Sequence, residues 1–292
     1  MSGQWHIGNR GRELALRKKQ LNQQISAYAM QQIRAHIRRH VILKYSGAPP
    51  AADGPSIKEP ISVEVMKNKI NFFEVPIIIN NRDRLTTLRN MINSLQNMGY
   101  KNLLVIDNES TYPPLLSYYK NDCPAKIFYE KNLGHKAICK SKCLDTINSQ
   151  YIIYTDSDLE FGDNYPEDFV EVFVKLYNKY NAKDNNRYMK VGTALRIDDL
   201  PDKYPKKQHV LEWEKQFWKN RISDELEIYN SPIDTTLALY ARNDIHLSKF
   251  ANLSAIRVAG KYTVRHKDWY YETLPEDVEY YTKHKTTPTH WS

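Results

Sequence analysis

Four apolar runs of strand length, "FFEVPIII" (72–79), "NLLVIDN" (102–108), "AKIFYE" (125–130) and "YIIYTDSD" (151–158), are separated by three stretches with helical spacing. The first of these, "RLTTLRNMINSLQNMGY" (84–100), sets Leu85, Leu88, Met91, Ile92 and Leu95 on one face and closes near Gly99. The second, "PPLLSYYKN" (113–121), opens with prolines, which suit a first helical turn. The third is "HKAICKSKCLDTIN" (135–148). Continuous apolar strands alternating with helices predict an α/β fold, with a mostly parallel, Rossmann-like central sheet and helices on both faces. Ligands of such sheets lie beyond the carboxyl ends of the strands. The polar endings Asn80-Asn81-Arg82, Asp107-Asn108 and Asp156-Ser157-Asp158 are therefore expected to face one crevice.

Asp156 and Asp158 end an apolar strand one residue apart, where their charges repel. A divalent cation with oxygen ligands relieves that repulsion, and magnesium or manganese also bridges phosphate oxygens. The pair thus points to chemistry on a nucleotide diphosphate, with the cation neutralising the departing diphosphate. The chain has only 10 glycines and carries neither GxGxxG nor GxxxxGK[ST], which argues against dinucleotide dehydrogenases and P-loop enzymes. Phosphate must then be held by the cation and by basic side chains.

Upstream, Leu21, Ile25, Ala29, Ile33, Ile37 and Val41 form one apolar stripe, so residues 12–44 read as a long helix. Arg34, Arg38, Arg39 and Lys44 gather toward its end. The stripe is expected to pack on the main domain or to join subunits, with an acidic membrane surface or nucleic acid as the alternative partner. "SGAPPAADGPS" (46–56) reads as a linker, so the extension covers 1–56 and the main domain 57–292. A charge of +8, from 42 basic and 34 acidic residues, agrees with an anionic partner and equally with ordinary solubility. No run approaches the ~20 apolar residues of a membrane span, and the N-terminus has no signal-peptide core. Three cysteines, Cys123, Cys139 and Cys143, fit a reducing compartment, and the cytoplasm, peripheral to a membrane if the helix binds one, is the expected location. The helical spacing of His135, Cys139 and Cys143 invites a zinc site, but without a fourth ligand these read as half-buried thiols.

The order and spacing of three segments resemble the family-2 glycosyltransferases of GT-A fold: "VPIIINNRDR", "NLLVIDNEST" and "KNLGHKAICKSKCLDTINSQYIIYTDSD". The likeness covers roughly residues 72–162, the nucleotide-binding half (57–162), and loosens over the acceptor half (163–292). It implies a nucleotide-diphosphate sugar as donor and Mn2+ or Mg2+ as cofactor. By position, Asp107 would read the base beside Asn80 or Arg82, Asp156 would approach the ribose or the metal shell, and Asp158 would bind the metal.

In the second half, "YMKVGTALRIDDLP" (188–201) carries a strand with Gly192 near its middle. Trp213, Phe217 and Trp218 read as core, with stacking on a sugar ring as the alternative. An inverting transfer needs a base within reach of the acceptor hydroxyl. Asp234, ahead of "TTLALYAR", is the first choice, with Asp198, Asp199 and Glu212 as rivals. "IRVAGKYTVRHKDWYYE" (256–272) reads as a basic, aromatic loop in which His266 fits the late metal-binding histidine of some GT-A enzymes. Arg265 and Lys267, with Arg257 and Lys261, are the expected holders of the diphosphate. "TLPEDVEYYTKH" (273–284) begins a further helix. The expected activity is metal-dependent, inverting sugar transfer to an acceptor hydroxyl in glycan synthesis. A nucleotidyltransferase of similar fold, or a nucleic-acid- or membrane-binding module, is the alternative.

Overall fold

Strand β1 (Ile77–Asn81) lies in the middle of one edge-to-edge parallel group, between β2 (Leu103–Asn108) and β4 (Tyr151–Asp156), with β3 (Lys126–Glu130) beyond β2. The computed structural model describes residues 70–183, 188–223, 225–245 and 254–285. The helix expected over 12–44, the linker at 46–56 and the partners assigned to them lie outside the described residues. The described residues form one compact unit. No helix among the described residues is long and apolar enough to cross a membrane.

Among the described residues the sheet has nine strands, in the order β3-β2-β1-β4-β9-β6-β10-β8-β7. The later ones are β6 (Lys190–Thr193), β7 (Arg221–Ser223), β8 (Ile228–Asn230), β9 (Ala238–Ala241) and β10 (Ala255–Val258). Only β8 and β9 run against the other seven, so the sheet is mostly parallel, as its apolar strands predict. A separate two-stranded ribbon pairs β5 (Leu159–Phe161) with β11 (Val264–His266). From β1 the chain adds β2 and β3 on one side and then β4 on the other. The switch point therefore falls between the carboxyl ends of β1 and β4, where crevices open in doubly wound sheets.

The strands are buried on both faces. Ile77, Ile79, Val105 and Ile153 pack against α1 (Thr86–Asn97), α2 (Pro113–Asn121) and α3 (Phe169–Lys183) through Leu88, Ile92, Leu115, Phe169 and Phe173. On the other face Ile78, Ile106, Ile152 and Tyr154 meet Ala137, Ile138, Cys143 and Ile147. That second cover is two 3-10 turns, Gly134–Cys139 and Lys142–Thr146, in place of the α-helix predicted over 135–148. Ser141 explains the break, because its side chain accepts a hydrogen bond from Cys143 N and so competes with the helical ladder. The helical face that the zinc spacing assumed is absent, and burial pushes the Cys143 thiol up to about 12. The first strand also starts later than its apolar run. Pro76 has no N–H to give, and Phe72–Glu74 forms a 3-10 turn capped by Asn71.

Neither α1 nor α2 supplies its own N-terminal cap. Asp277, in the last helix α5 (Glu276–His284), accepts from Leu85 N, Thr86 N and Thr86 Oγ1 at 2.7, 2.8 and 2.8 Å. Asp83, in the β1–α1 turn at φ 55°, accepts from Thr111 N and Tyr112 N at 2.6 and 2.9 Å. Each carboxylate satisfies amide donors that a helix start leaves over. Gly192 is required by a close approach: a Cβ there would lie 2.4 Å from the carbonyl oxygen of Leu237.

Candidate active site

The switch point is built from amides and carboxylates at the strand ends. Asn80 is the register partner of Asp156, and its Nδ2 donates to Asp156 Oδ1 at 3.1 Å. Asn108 Nδ2 donates in turn to Asn80 Oδ1 at 2.6 Å, while Asn108 Oδ1 accepts from Leu133 N at 2.9 Å. The other Asp156 oxygen accepts from Thr235 Oγ1, and Asp156 N donates to Thr235 O at 3.1 Å. Burial, reinforced by the charge of Asp158, pushes the Asp156 carboxyl up to about 8. Asp156 is thus a fixed, crowded carboxylate at the head of the crevice.

Asp107 lies on the opposite side of the sheet tip in a closed network. It is 2% exposed. Its oxygens accept from Ser110 N and Tyr119 OH at 3.0 Å each, and Asn81 donates to the same tyrosine at 2.8 Å. Burial raises its pKa. Both oxygens of Asp107 therefore hold the β2 turn rather than face open crevice. Arg82 is half-buried, with its Nε 3.8 Å from Asp83 Oδ2.

Asp158 meets His266 because of the small ribbon. Leu159 and His266 are register partners, and Lys267 N donates to Asp158 O at 2.7 Å. His266 Nε2 then lies 3.6 Å from Asp158 Oδ2. Its ring stacks on buried Trp269 at 4.8 Å between centroids and 11° between planes. Asp268 completes a group whose ligand atoms lie within 4.8 Å of one another. Two carboxylates and an imidazole this close fit a divalent ion of the manganese type, within reach of small side-chain rotations. His266 Nδ1 is buried with no hydrogen-bond partner. Both Asp268 oxygens accept from Arg84, whose guanidinium approaches at 2.7 and 2.7 Å.

The expected diphosphate holders are elsewhere. Segment 264–266 is a strand, not a loop, so Arg265 and His266 point to opposite faces. Arg265 is paired with Asp199 at 2.5 Å and Glu160 at 3.5 Å, and Lys267 with Glu160 at 2.5 Å. Arg257 is 4% exposed, with Nη1 2.8 Å from Glu214 Oε2 and its Nε donating to Pro232 O at 2.8 Å. All three cations are thus already engaged by carboxylates other than Asp158.

Asp234 is exposed in the segment between β8 and β9, next to Thr235. Buried Lys190 supports it from beneath, donating to Asp234 O at 3.1 Å. Among the rivals, Asp198 is paired with Arg196 at 3.0 Å, Asp199 is taken by Arg265 and Tyr270, and Glu212 accepts from Gln208 at 3.1 Å. Of the four, Asp234 is the one whose neighbour touches Asp156. A cavity of about 560 Å³ opens at the other end of the sheet, among Pro76, Lys101, Leu103 and Tyr151, away from all of these groups.

The sequence model described as glycosyl transferase family 2 matches residues 76–242, more than half of the chain. The chain belongs to that family. The family-2 match spans β1 to β9, and so covers the Asn80–Asp156–Thr235 contacts and Asp158. The chain is also similar to solved structures. A structure of GalNAc-T7 with UDP, GalNAc and Mn2+ is 15% identical over 68% of this chain, at a TM-score of 0.43. The alignment spans 44% of that chain, less than half of its length. Glucosyl-3-phosphoglycerate synthase from Mycobacterium tuberculosis, in complex with Mn2+ and UDP-glucose, is 12% identical over 70% of this chain and 72% of its own, at 0.38. A cytidylyltransferase from Leptospira borgpetersenii is 12% identical over 59% and 62%, at 0.33. The family match, not these likenesses, carries the assignment. A sequence search of curated proteins gave no match.

Three members of the site are additions to those expected from the sequence. Thr235 and Arg84 reach it through contacts that only the folded register creates. Asp268, two residues after His266, is the one that a His-x-Asp spacing could have suggested.

Proposed function

We propose that this transferase moves a sugar from a nucleotide-diphosphate sugar to an acceptor hydroxyl, with inversion, using a divalent cation. The observation that carries this reading is the approach of His266 Nε2 to Asp158 Oδ2, 3.6 Å apart at the strand tips of a family-2 chain. Asp158 and His266 would hold the cation, with Asp268 beside them. When bound, it supplies positive charge to the departing diphosphate. Asp156, oriented by Asn80 and Thr235, takes the ribose side of the donor. Asp107 serves the base indirectly, by fixing the β2 turn beside which Asn80 and Arg82 lie. Asp234 is the base that removes the acceptor's hydroxyl proton, because it is exposed and one residue from the Asp156 contact. The family match favours sugar transfer over the nucleotidyltransferase and binding-module alternatives.

Thermal melting with Mn2+ and a panel of UDP, GDP, ADP and CDP tests the reading, on the wild-type chain and on Asp158→Ala. One nucleotide should raise Tm by several degrees, only with Mn2+ and only when Asp158 is present, because a ligand that binds the native state alone stabilises it by mass action. A wild-type chain that no combination stabilises would overturn it.

A further inference from the structure

We propose that Arg84 is the cation that receives the donor's diphosphate, and that Asp268 is its exchangeable partner. This rests on the reading of the Asp158–His266 site as a donor site.

A diphosphate beside Asp158 and His266 enters a crevice that already holds the carboxylates of Asp158 and Asp268, so cations must balance it. Arg265 is already tied to Glu160 and Asp199, and Lys267 to Glu160. Arg84 is different. Its guanidinium is bound through two parallel hydrogen bonds of 2.7 Å to Asp268, a member of the same group as Asp158 and His266. One carboxylate separates it from the candidate metal position. Arginine's planar fork accepts phosphate oxygens in the geometry it uses for a carboxylate.

The surroundings suit an exchange at this position. The Arg84 side chain is 8% exposed, with the Tyr281 ring 4.5 Å from its guanidinium carbon. Asp83 and Asp277 pin the turn on either side of it. The Asp268 side chain is 29% exposed, so the pair opens to solvent through the carboxylate. When Asp268 turns toward a cation held by Asp158 and His266, the fork of Arg84 is left for the diphosphate. The one Arg84–Asp268 pair is replaced by two, Asp268 with the cation and Arg84 with the diphosphate, so no buried charge is stranded at 8% exposure. Cation and diphosphate then bind cooperatively through this one side-chain pair.

Mn2+ binding followed by electron paramagnetic resonance, and UDP binding followed by calorimetry, separate the steps in wild type, Arg84→Lys and Asp268→Asn. If another diphosphate of the panel is the one bound, it replaces UDP. In wild type each ligand should tighten the other about tenfold or more. Arg84→Lys keeps the charge and loses the fork, so it should bind Mn2+ alone as well as wild type or better, while its UDP affinity with Mn2+ falls at least tenfold. Asp268→Asn releases Arg84, so its UDP binding should depend on Mn2+ several-fold less than that of wild type. UDP affinity unchanged in Arg84→Lys would overturn the proposal. Should Arg84→Lys fail to fold, Asp268→Asn decides, and an Mn2+ dependence equal to wild type overturns it. A wild-type chain that binds no nucleoside diphosphate overturns the donor-site reading as well, which distinguishes the two failures.

Discussion

His266 is the strand partner of Leu159, and that pairing sets its imidazole nitrogen 3.6 Å from the carboxylate of Asp158, 108 positions earlier in the chain. The β5–β11 ribbon therefore assembles the candidate cation site from two segments with no local relationship. His266→Ala should weaken Mn2+ binding by about 10–100-fold, the scale seen when groups around a bound metal are removed. The Trp269 ring stays as a floor. Paramagnetic resonance titration against wild type measures the change, and equal affinities would remove His266 from the site.

Gly192 lies where β6 crosses closest to the start of β9. Gly192→Ala places a methyl group 2.4 Å from the backbone oxygen of Leu237, just before the neighbouring strand β9, and 2.7 Å from Ala238 Cβ at its start. The expected cost is about 2–3 kcal/mol. Calorimetric melting should show a Tm lower by roughly 5–10 °C in a domain of this size.

Asp277 is 2% exposed and accepts three hydrogen bonds at the start of α1. Asp277→Ala leaves two amides and a hydroxyl without that acceptor. A loss of about 2 kcal/mol is expected, at the upper end for helix caps. Denaturant unfolding with an unchanged slope would identify it as lost stability rather than a changed unfolded state.

Lys190 is 2% exposed, and burial, only partly offset by Asp234, pulls its ammonium down to about 8 from an ordinary 10.5. Between these values the unfolded chain binds the proton and the folded chain gives it up. Stability linked to this group therefore rises with pH from about 8 to 10.5, and below 8 the protein carries the full cost of a buried charge, about 3 kcal/mol. Lys190→Met should flatten that rise in a plot of Tm against pH. A slope identical to wild type over this interval would contradict the assignment.

The parts of the site that could be read in the sequence are those made by one strand and the turn after it. The apolar run before Asp156 and Asp158 fixes both the strand and its polar end, and Asn80 and Asp107 follow from the same pattern. Arg265 and Lys267 were misplaced because "YTVRHKDW" reads as a basic loop, and in a loop every cation is free to turn inward. As a strand it alternates, and the face that receives His266 excludes Arg265. The 3-10 turns over 134–146 were hidden by a period of apolar residues that also suits a helix, while one serine–amide bond decides between them. Arg84 and Thr235 are invisible for another reason. Their roles arise from register between segments far apart in sequence, and no local pattern encodes register.

The contacts that tie α5 and its approach to the first βα unit span nearly the whole described chain. Arg84 and Asp268 are 184 positions apart, and Leu85 and Asp277 are 192. At common translation rates a ribosome needs on the order of 10–40 s to cover that distance. During synthesis α1 therefore waits, its first turn uncapped and Arg84 unanswered, until α5 emerges. The half that would bind a nucleotide is made early, but it is finished by a segment made nearly two hundred residues later.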